Sequence, residues 1–147
     1  LYACEGWATG ATIHEESGGL TRLYWRDNPG EPSPLLDEAA AQLTAYFNRR
    51  LTAFDLPFDW GSGLQEQVRR AMAAIPLGET LTYGDIARAL NTPAQAIGQA
   101  CGANPLPILI PCHRVLGAKG LGGFSAKGGV ETKVWLLRHE GAAGLLI

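Results

Sequence analysis

The chain has 147 residues, of which 46% are hydrophobic and 18% are charged. This composition excludes disorder as the main state, and the length lets one ordinary domain, or two small ones, bury a core without disulfides or metals. No apolar run approaches the roughly 18 residues of a membrane span, and the first residues lack the basic and apolar regions of a signal peptide. Three widely spaced cysteines argue against a disulfide framework and favour an intracellular location, cytoplasmic if the source is bacterial.

The formal charge of −2 at first argues against a nucleic-acid partner, because binding a polyanion usually leaves a basic footprint. The charge is unevenly distributed, however. Residues 1–60 hold four basic and nine acidic residues, a balance of −5, whereas residues 61–147 hold eight basic and five acidic residues, a balance of +3. This contrast favours two domains, 1–60 and 61–147, of which the second is the better candidate to meet a polyanion.

Residues 1–60 have the pattern of a β-hairpin followed by a helix. Residues 7–13 and 20–25 are rich in β-forming residues and are separated by a Ser-Gly-Gly turn signal. The Ser33-Pro34 pair predicts the N-cap and first residue of a helix that runs to about Arg50. The residues of this helix predicted to face the core recur at helical spacing and are Leu36, Ala40, Leu43 and Phe47.

The second part is predicted to be mostly helical. Ser62 and Gln65 form a capping-box pattern at the start of a helix over residues 64–75. A final helix over residues 130–139 follows a glycine-rich loop and is stopped by Gly141.

Two short helices are predicted between these. Thr82 caps a helix over residues 83–90, and the Thr92-Pro93 pair begins a second helix that reaches about Gly102. Gln95 stands at the third position of that helix and would complete a capping box with Thr92. The pair resembles a helix-turn-helix.

The segment that ends in a Pro-Cys-His-Arg run carries the most chemical information. Its prolines predict an extended backbone, and the apolar residues 108–110 are suited to burial. His113 and Arg114 follow Cys112 with an imidazole and a fixed positive charge, which are groups that lower a thiol pKa. Glu140, at the end of the last helix, is a candidate carboxylate to orient the histidine. A cysteine in an isolated Cys-His pair is more often a buried, inert thiol. The choice between an inert and a reactive Cys112 therefore depends on the whole segment around it.

Several sequence blocks resemble the O6-alkylguanine-DNA alkyltransferase family, whose members move alkyl groups from guanine O6 in DNA onto their own cysteine. The blocks are Gly78–Tyr83, Ala87, Asn104–Val115, Gly122–Ser125 and Trp135–Gly141. The resemblance is weak before residue 61. It implies an α+β fold in which a small, shortened RNase H-like α/β domain precedes a mostly helical, DNA-binding and catalytic domain with a helix-turn-helix.

The resemblance also implies the roles of the catalytic residues. Cys112 would accept the alkyl group, His113 would act as its base through water, and Glu140 would polarise His113. Asn104 would hold the turn before the cysteine by hydrogen bonds, and Arg114 would be either a structural cation or one that faces DNA. Because attack on an alkyl carbon gives a stable thioether, each molecule is expected to act once.

Further residues would contact the DNA. A sulfur cannot approach the O6 carbon in line within a duplex, so the base must be flipped out, and Tyr83 would help to rotate it. Ala94, Gln95 and Gly98 would lie on the DNA-reading helix. The small residues Gly98 and Ala100 either let the helix approach DNA closely or allow tight helix packing, and both readings are open.

Gln95 and Phe124 are two positions at which the chain departs from the usual pattern of the family. Gln95 stands where the family usually has an arginine that fills the space of the flipped base, which predicts slower or weaker repair. The helix cap is the expected role of Gln95, weak insertion into the duplex as a hydrogen-bonding wedge is the alternative, and the two roles are compatible. Ser125 would close over the flipped guanine, and Phe124 replaces a common tyrosine in the same loop. Lys127 and Lys133 are expected to be solvated surface lysines, with phosphate contact as the alternative.

The expected partner is double-stranded DNA that contains O6-alkylguanine, bound by a monomer with no cofactor, no metal site and no membrane contact. The runner-up function is a non-catalytic lesion-binding protein of the same kind, although such relatives lack the acceptor cysteine. A Cys-His hydrolase or redox thiol enzyme is a third alternative. It would need an oxyanion hole or a resolving cysteine, and neither is evident in the sequence.

Overall fold

The computed structural model describes residues 12–24, 31, 33–118, 120–122 and 129–142. The chain divides by internal packing into two compact units, Leu1–Asp59 and Trp60–Ile147. Both helices and short strands occur, so the fold combines α and β structure.

The first unit contains an antiparallel hairpin of β1 (Thr12–Glu16) and β2 (Gly19–Tyr24). The turn between them consists of Ser17 and Gly18, with φ values of 54° and 80°, as tight two-residue hairpin turns require. Because the turn uses two residues rather than three, the second strand begins one residue before its predicted start, and the first strand extends beyond its predicted end at residue 13. The rest of that predicted strand, residues 7–11, lies outside the described residues.

Helix α1 (Pro34–Phe47) begins as predicted, because the Ser33 side chain accepts a hydrogen bond from the Leu36 amide at 3.1 Å. It ends at Phe47 rather than at Arg50. The predicted core face is correct only at Leu43. The buried residues of the helix are Ala39, Leu43 and Tyr46.

The segment from Pro57 to Asp59 lies beside the hairpin in the first unit. The amide of Leu20 donates to the carbonyl of Pro57, and the amide of Asp59 donates to the carbonyl of Leu20, each at 2.8 Å. Leu20 is fully buried at this junction.

The second unit is built mainly from helices. They are α2 (Gly63–Ala73), α3 (Tyr83–Leu90), α4 (Ala94–Gly102) and α5 (Gly129–His139). Two short strands, β3 (Leu81–Thr82) and β4 (Val115–Leu116), pair in parallel. Among the described helices, none is long and apolar enough to cross a membrane.

The predicted helix caps have different outcomes. Thr82 caps α3 as predicted, and Asp85 completes a reciprocal capping box with it. The box predicted at Ser62 does not form, although Ser62 is the N-cap residue of α2. The box predicted at Thr92 is also wrong, since its hydroxyl donates to the Leu90 carbonyl at 3.1 Å and α4 begins after Pro93.

The core of the second unit is apolar and comes from all its helices and from the proline-rich segment. Its members that are at most 2% exposed are Val68, Met72, Ile86, Ile97, Ala100, Leu106, Ile108, Leu109, Ile110, Val115, Leu136 and Leu137. Their packing encloses the turn that carries the cysteine motif.

Candidate active site

The proline-rich segment before the cysteine is a series of tight turns, so the prediction of an extended backbone is wrong. The Leu109 amide donates to the Pro107 carbonyl at 2.9 Å around Ile108, which has a φ of 72°. A β-branched residue with this φ is strained. The Cys112 amide donates to the Ile110 carbonyl at 2.8 Å, which closes another turn. As predicted, residues 108–110 are buried.

Asn104 connects the two ends of this turn series. Its side-chain Nδ2 donates to the Ile110 carbonyl at 2.9 Å, and its Oδ1 accepts from the Leu106 amide at 3.1 Å. Asn104 is only 8% exposed, so both bonds are shielded from water. The side chain thus fixes the backbone two residues before Cys112.

Cys112, His113 and Arg114 form one turn of 3₁₀ helix, which the Val115 amide closes by donating to the Cys112 carbonyl. All three side chains are buried, with exposures of 7%, 0% and 6%. The turn therefore presents the thiol and the imidazole inside the protein rather than on its surface.

His113 and Glu140 form a buried hydrogen-bonded pair, with 2.6 Å between Nε2 and Oε2. Burial favours the neutral carboxyl, but hydrogen bonds and charge from His113 and Arg114 outweigh it and lower the pKa of Glu140 to about 2. Burial lowers the pKa of His113 despite the nearby carboxylate. A neutral imidazole beside an ionised carboxylate carries its proton on Nε2. Nδ1 is then an acceptor, and it is buried without a hydrogen-bond partner.

Arg114 holds the same carboxylate from the other side. Its Nε donates to Glu140 Oε1 at 2.8 Å, its Nη2 donates to Oε2 at 3.1 Å, and its Nη1 donates to the Ile75 carbonyl at 2.6 Å. Such bidentate pairing orients a carboxylate strongly. The alternative in which Arg114 faces DNA is wrong, because its guanidinium is buried and bonded within the protein.

Gly78 lies close to the backbone of Glu140, a proximity that the sequence analysis did not predict. Its φ is +85°, and a Cβ atom there would lie 3.4 Å from the Glu140 carbonyl oxygen. A side chain at this position would be strained as well as crowded. The signal in the sequence was the glycine at the start of the Gly78–Tyr83 block.

The thiol of Cys112 is affected by opposing influences. Burial raises its pKa above the ordinary value, whereas a hydrogen bond from Asn104, the charge of Lys133 and the amides of Cys112 and His113 lower it. The sequence assigned the fixed positive charge to Arg114, but Lys133 supplies it. Both expectations for Lys133 are wrong, since this residue is fully buried and its Nζ donates to the Val115 carbonyl at 2.7 Å.

Tyr83, the first residue of α3, lies close to the start of the glycine-rich loop. A Cβ atom on Gly122 would be 3.1 Å from Tyr83 Cε2 and 3.3 Å from its hydroxyl oxygen. The Lys133 ammonium lies 6.0 Å from the centre of the same ring. Tyr83 is therefore near the charge that acts on the thiol.

The outer side of α4 carries small and polar residues. Ala94 and Gln95 are exposed, and a Cβ atom on Gly98 would contact nothing within 4 Å. Ala100, in contrast, is 2% exposed and packs in the core. Helix packing therefore explains Ala100 but does not explain Gly98.

Some predicted site residues cannot be placed. Phe124, Ser125 and Lys127 lie outside the described residues. In the described ranges, no group of three or more His, Cys, Asp or Glu side chains could hold a metal ion.

The site joins a buried thiol, a neutral imidazole and a carboxylate that fixes its tautomer, an arrangement in which the imidazole is able to accept the proton of a thiol. The family model for the DNA-binding domain of 6-O-methylguanine DNA methyltransferase matches residues 63–142. The chain belongs to this family.

Relatives match beyond that domain. The methylated-DNA–protein-cysteine methyltransferase of Mycobacterium tuberculosis is 41% identical over 136 residues, which are 90% of this chain and 79% of that protein. The protein of the same name from Salmonella typhimurium is 42% identical over 132 residues, 88% of this chain and 72% of the relative.

Solved structures have the same fold. The crystal structure of Mycobacterium tuberculosis OGT in complex with DNA superposes with a TM-score of 0.81 at 37% identity, covering 96% of this chain and 92% of that one. An O6-methylguanine DNA methyltransferase from Methanococcus jannaschii gives a TM-score of 0.65 at 28% identity, covering 93% and 91%.

Proposed function

We propose that this chain is a DNA repair protein that transfers an alkyl group, such as methyl, from O6 of guanine in double-stranded DNA irreversibly to Sγ of Cys112. The observation that carries the proposal is the buried His113–Glu140 pair next to Cys112, with Nδ1 of His113 unbonded and able to accept a proton. The relatives named methylated-DNA–protein-cysteine methyltransferase support the same activity.

The proposed reaction begins with a proton transfer. The Cys112 thiol gives its proton, through a water molecule, to Nδ1 of His113, and the ionised Glu140 stabilises the resulting imidazolium. The Asn104 side chain and the amides of Cys112 and His113 stabilise the thiolate by hydrogen bonds.

The thiolate then displaces guanine from the alkyl carbon. The S–C bond forms as the C–O6 bond breaks, and the electron pair of the broken bond stays on guanine. Guanine takes up one proton from water and His113 releases the proton that came from the thiol, so the proton count is unchanged overall. The thioether product has no route back in this scheme, so the protein is consumed.

Access to the alkyl carbon requires the guanine to leave the duplex. In the proposed complex α3 and α4 act as a helix-turn-helix joined at Asn91, whose φ of 52° makes the turn, and Tyr83 helps to rotate the nucleotide. Ala94, Gln95 and Gly98 face the DNA. The open space around Gly98 supports this orientation of α4.

Gln95 is proposed to enter the duplex as a short hydrogen-bonding wedge. The exposed side chain of Gln95 on α4 supports this role. The capping role required Thr92 as the N-cap residue, and that position is held by Pro93. The shorter, uncharged side chain is expected to hold the extruded state less firmly than an arginine would.

The domain roles are part of the same proposal. Residues 1–60 form a shortened RNase H-like N-terminal domain, and residues 61–147 form the DNA-binding and catalytic domain. The division of the chain into units at Asp59 and Trp60 supports this assignment. Ser125 and Phe124 are proposed to close over the extruded guanine.

Intact-mass measurement tests the activity directly. After incubation with a duplex containing O6-methylguanine, we expect the protein to gain one methylene unit, located by peptide mapping on Cys112. Cys112→Ser should bind the duplex without gaining mass, whereas Cys101→Ser, the matched buried thiol, should still gain it. Binding without mass gain by the natural chain would favour the non-catalytic alternative.

A further inference from the structure

Lys133 is a fully buried lysine that the proposed reaction has not used. It lies on α5, and its Nζ donates to the Val115 carbonyl at 2.7 Å. The amide of the same residue, Val115, donates to the Cys112 carbonyl and closes the cysteine-bearing turn. A single residue, Val115, therefore links the Lys133 ammonium to the backbone of the nucleophile.

A buried ammonium group is costly, because charged groups lose hydration energy inside a protein. Lysine is almost never fully buried without a compensating partner. Burial lowers the pKa of Lys133 to about 8, and the nearby thiols of Cys112 and Cys101 oppose this change. At neutral pH the side chain thus still carries its charge.

We propose that Lys133 is a positioning residue for alkyl transfer: its ammonium group holds the Val115 end of the Cys112–Arg114 turn and offsets the negative charge that develops on Cys112 Sγ. This inference rests on the proposed function, because it assumes that Cys112 is the nucleophile. It assigns Lys133 no contact with DNA or with the alkylated base.

The surrounding cations explain why this role falls to Lys133. Arg114 is bonded to Glu140 and to the Ile75 carbonyl, so its charge is already matched by a carboxylate. His113 is neutral before it accepts the thiol proton. Among the described residues, the titratable groups that interact with Lys133 include Tyr83 on α3, Cys101 on α4, and Cys112 and His113 on the turn.

Loss of the Lys133 charge should raise the pKa values of both Cys112 and His113. Without the ammonium, the pKa of Cys112 rises further, and the pKa of His113 rises because a repelling charge is gone. Both changes move the acidic limb of the pH–rate profile to higher pH. A nearby charge typically shifts a pKa by about one unit or more.

The experiment compares Lys133→Met with Lys133→Arg and with Arg138→Met, which removes an exposed positive charge from the same helix. Single-turnover transfer from an O6-methylguanine duplex is followed across pH, with the product mapped to Cys112. For Lys133→Met we expect the acidic limb to move upward by about one pH unit, with a rate loss that approaches about tenfold at pH values on the limb itself. In Lys133→Arg and Arg138→Met the acidic limb of the pH–rate profile should stay at the pH of the natural chain.

Duplex affinity separates this role from phosphate contact. Measured in a Cys112→Ser background, Lys133→Met should bind as tightly as the background alone. A loss of affinity that accounts for the slower transfer would overturn the proposal. So would a slower rate with an unmoved acidic limb, because a purely structural role predicts that result.

The natural chain provides a check if Lys133→Met does not fold. Its transfer rate should decline above about pH 8, as Lys133 loses its proton, and Lys133→Arg should remove that decline. A rate that keeps rising through this range would overturn the inference. Failure of the proposed function is distinct, since the natural chain would then place no alkyl group on Cys112 at any pH.

Discussion

Replacing Glu140 by glutamine removes one buried negative charge and keeps the shape of the side chain. The natural carboxylate accepts hydrogen bonds from His113 at 2.6 Å and from Arg114 at 2.8 Å and 3.1 Å. A glutamine amide can still accept from Arg114, but it leaves the guanidinium charge unmatched in the interior. Its NH₂ group can also donate to His113, which favours the other imidazole tautomer.

The size of the stability loss follows from the pKa of Glu140, which falls from 4.5 to about 2 in the folded chain. By linkage, the ionised carboxylate then contributes about 3 kcal/mol to folding at neutral pH. Breaking a buried ion pair from one side typically costs about 3–5 kcal/mol, which agrees. We therefore expect Glu140→Gln to lower the free energy of unfolding by about 3 kcal/mol.

The transfer rate of Glu140→Gln should fall by more than the loss of folded protein explains. If the glutamine turns His113 to the tautomer with a protonated Nδ1, the base is lost, which is worth roughly 10²–10⁴-fold in rate. Urea unfolding and single-turnover transfer measure the two effects on the same variant. The double variant Glu140→Gln, Arg114→Met removes the unmatched cation and should recover most of the stability without recovering transfer.

Two results would refute this reasoning. Natural transfer by folded Glu140→Gln would mean that the carboxylate does not set the tautomer. An unchanged free energy of unfolding would mean that the buried charges are solvated in a way that the geometry does not indicate.

Three further predictions address DNA binding and acid stability. Gln95→Arg should raise both duplex affinity and transfer rate through its added charge and length, and unchanged values in titration and single-turnover assays would contradict the wedge role. Gly98→Leu should fold at least as stably as the natural chain, since its Cβ meets nothing within 4 Å and a helical glycine costs about 0.5–1 kcal/mol. It should nevertheless bind duplex more weakly in anisotropy titrations, and undiminished affinity would place this face of α4 away from DNA. Stability should fall as the pH drops below 6.5, where His113 binds a proton only when unfolded, and again between 4.5 and about 2, where Glu140 binds a proton in the unfolded chain but stays ionised in the folded one. Circular dichroism across pH should detect both losses, and Glu140→Gln should lack the second.

Local signals in the sequence were reliable where the interaction itself is local. The cap of α3 depends on Thr82 and a partner three residues later, and it forms as predicted. The same logic failed at Thr92, because its hydroxyl turns back to Leu90 and Pro93 takes the N-cap position. A capping pattern cannot tell which acceptor a hydroxyl will choose.

Which side chains of a helix are buried was harder to predict. In α1 the buried stripe includes Tyr46, whose ring lies 5.5 Å from that of Phe54, instead of the more apolar Phe47. Lys133 was misjudged for a related reason, since polarity suggests solvent. Its acceptor, the carbonyl of Val115, lies 18 residues earlier in the chain. Only the packed structure brings that carbonyl to α5.

At the candidate site, the motif predicted which residues to consider but not how their charges are shared. The His113–Glu140 pairing follows the expectation that the resemblance raised. The roles of the two cations differ from the expectation, because Arg114 neutralises Glu140 and the charge of Lys133 lowers the pKa of the Cys112 thiol. Charge sharing of this kind depends on distances between segments that are far apart in sequence.

The depth of Cys112 also determines how long an unused molecule stays usable. In the proposed chemistry each chain carries a single equivalent of nucleophile. Oxidants and soluble electrophiles attack exposed thiolates, whereas Cys112 is 7% exposed and burial holds the pKa of its thiol above the ordinary value. The enclosed site therefore stores the thiol in its protonated, unreactive form between synthesis and the one encounter that consumes it.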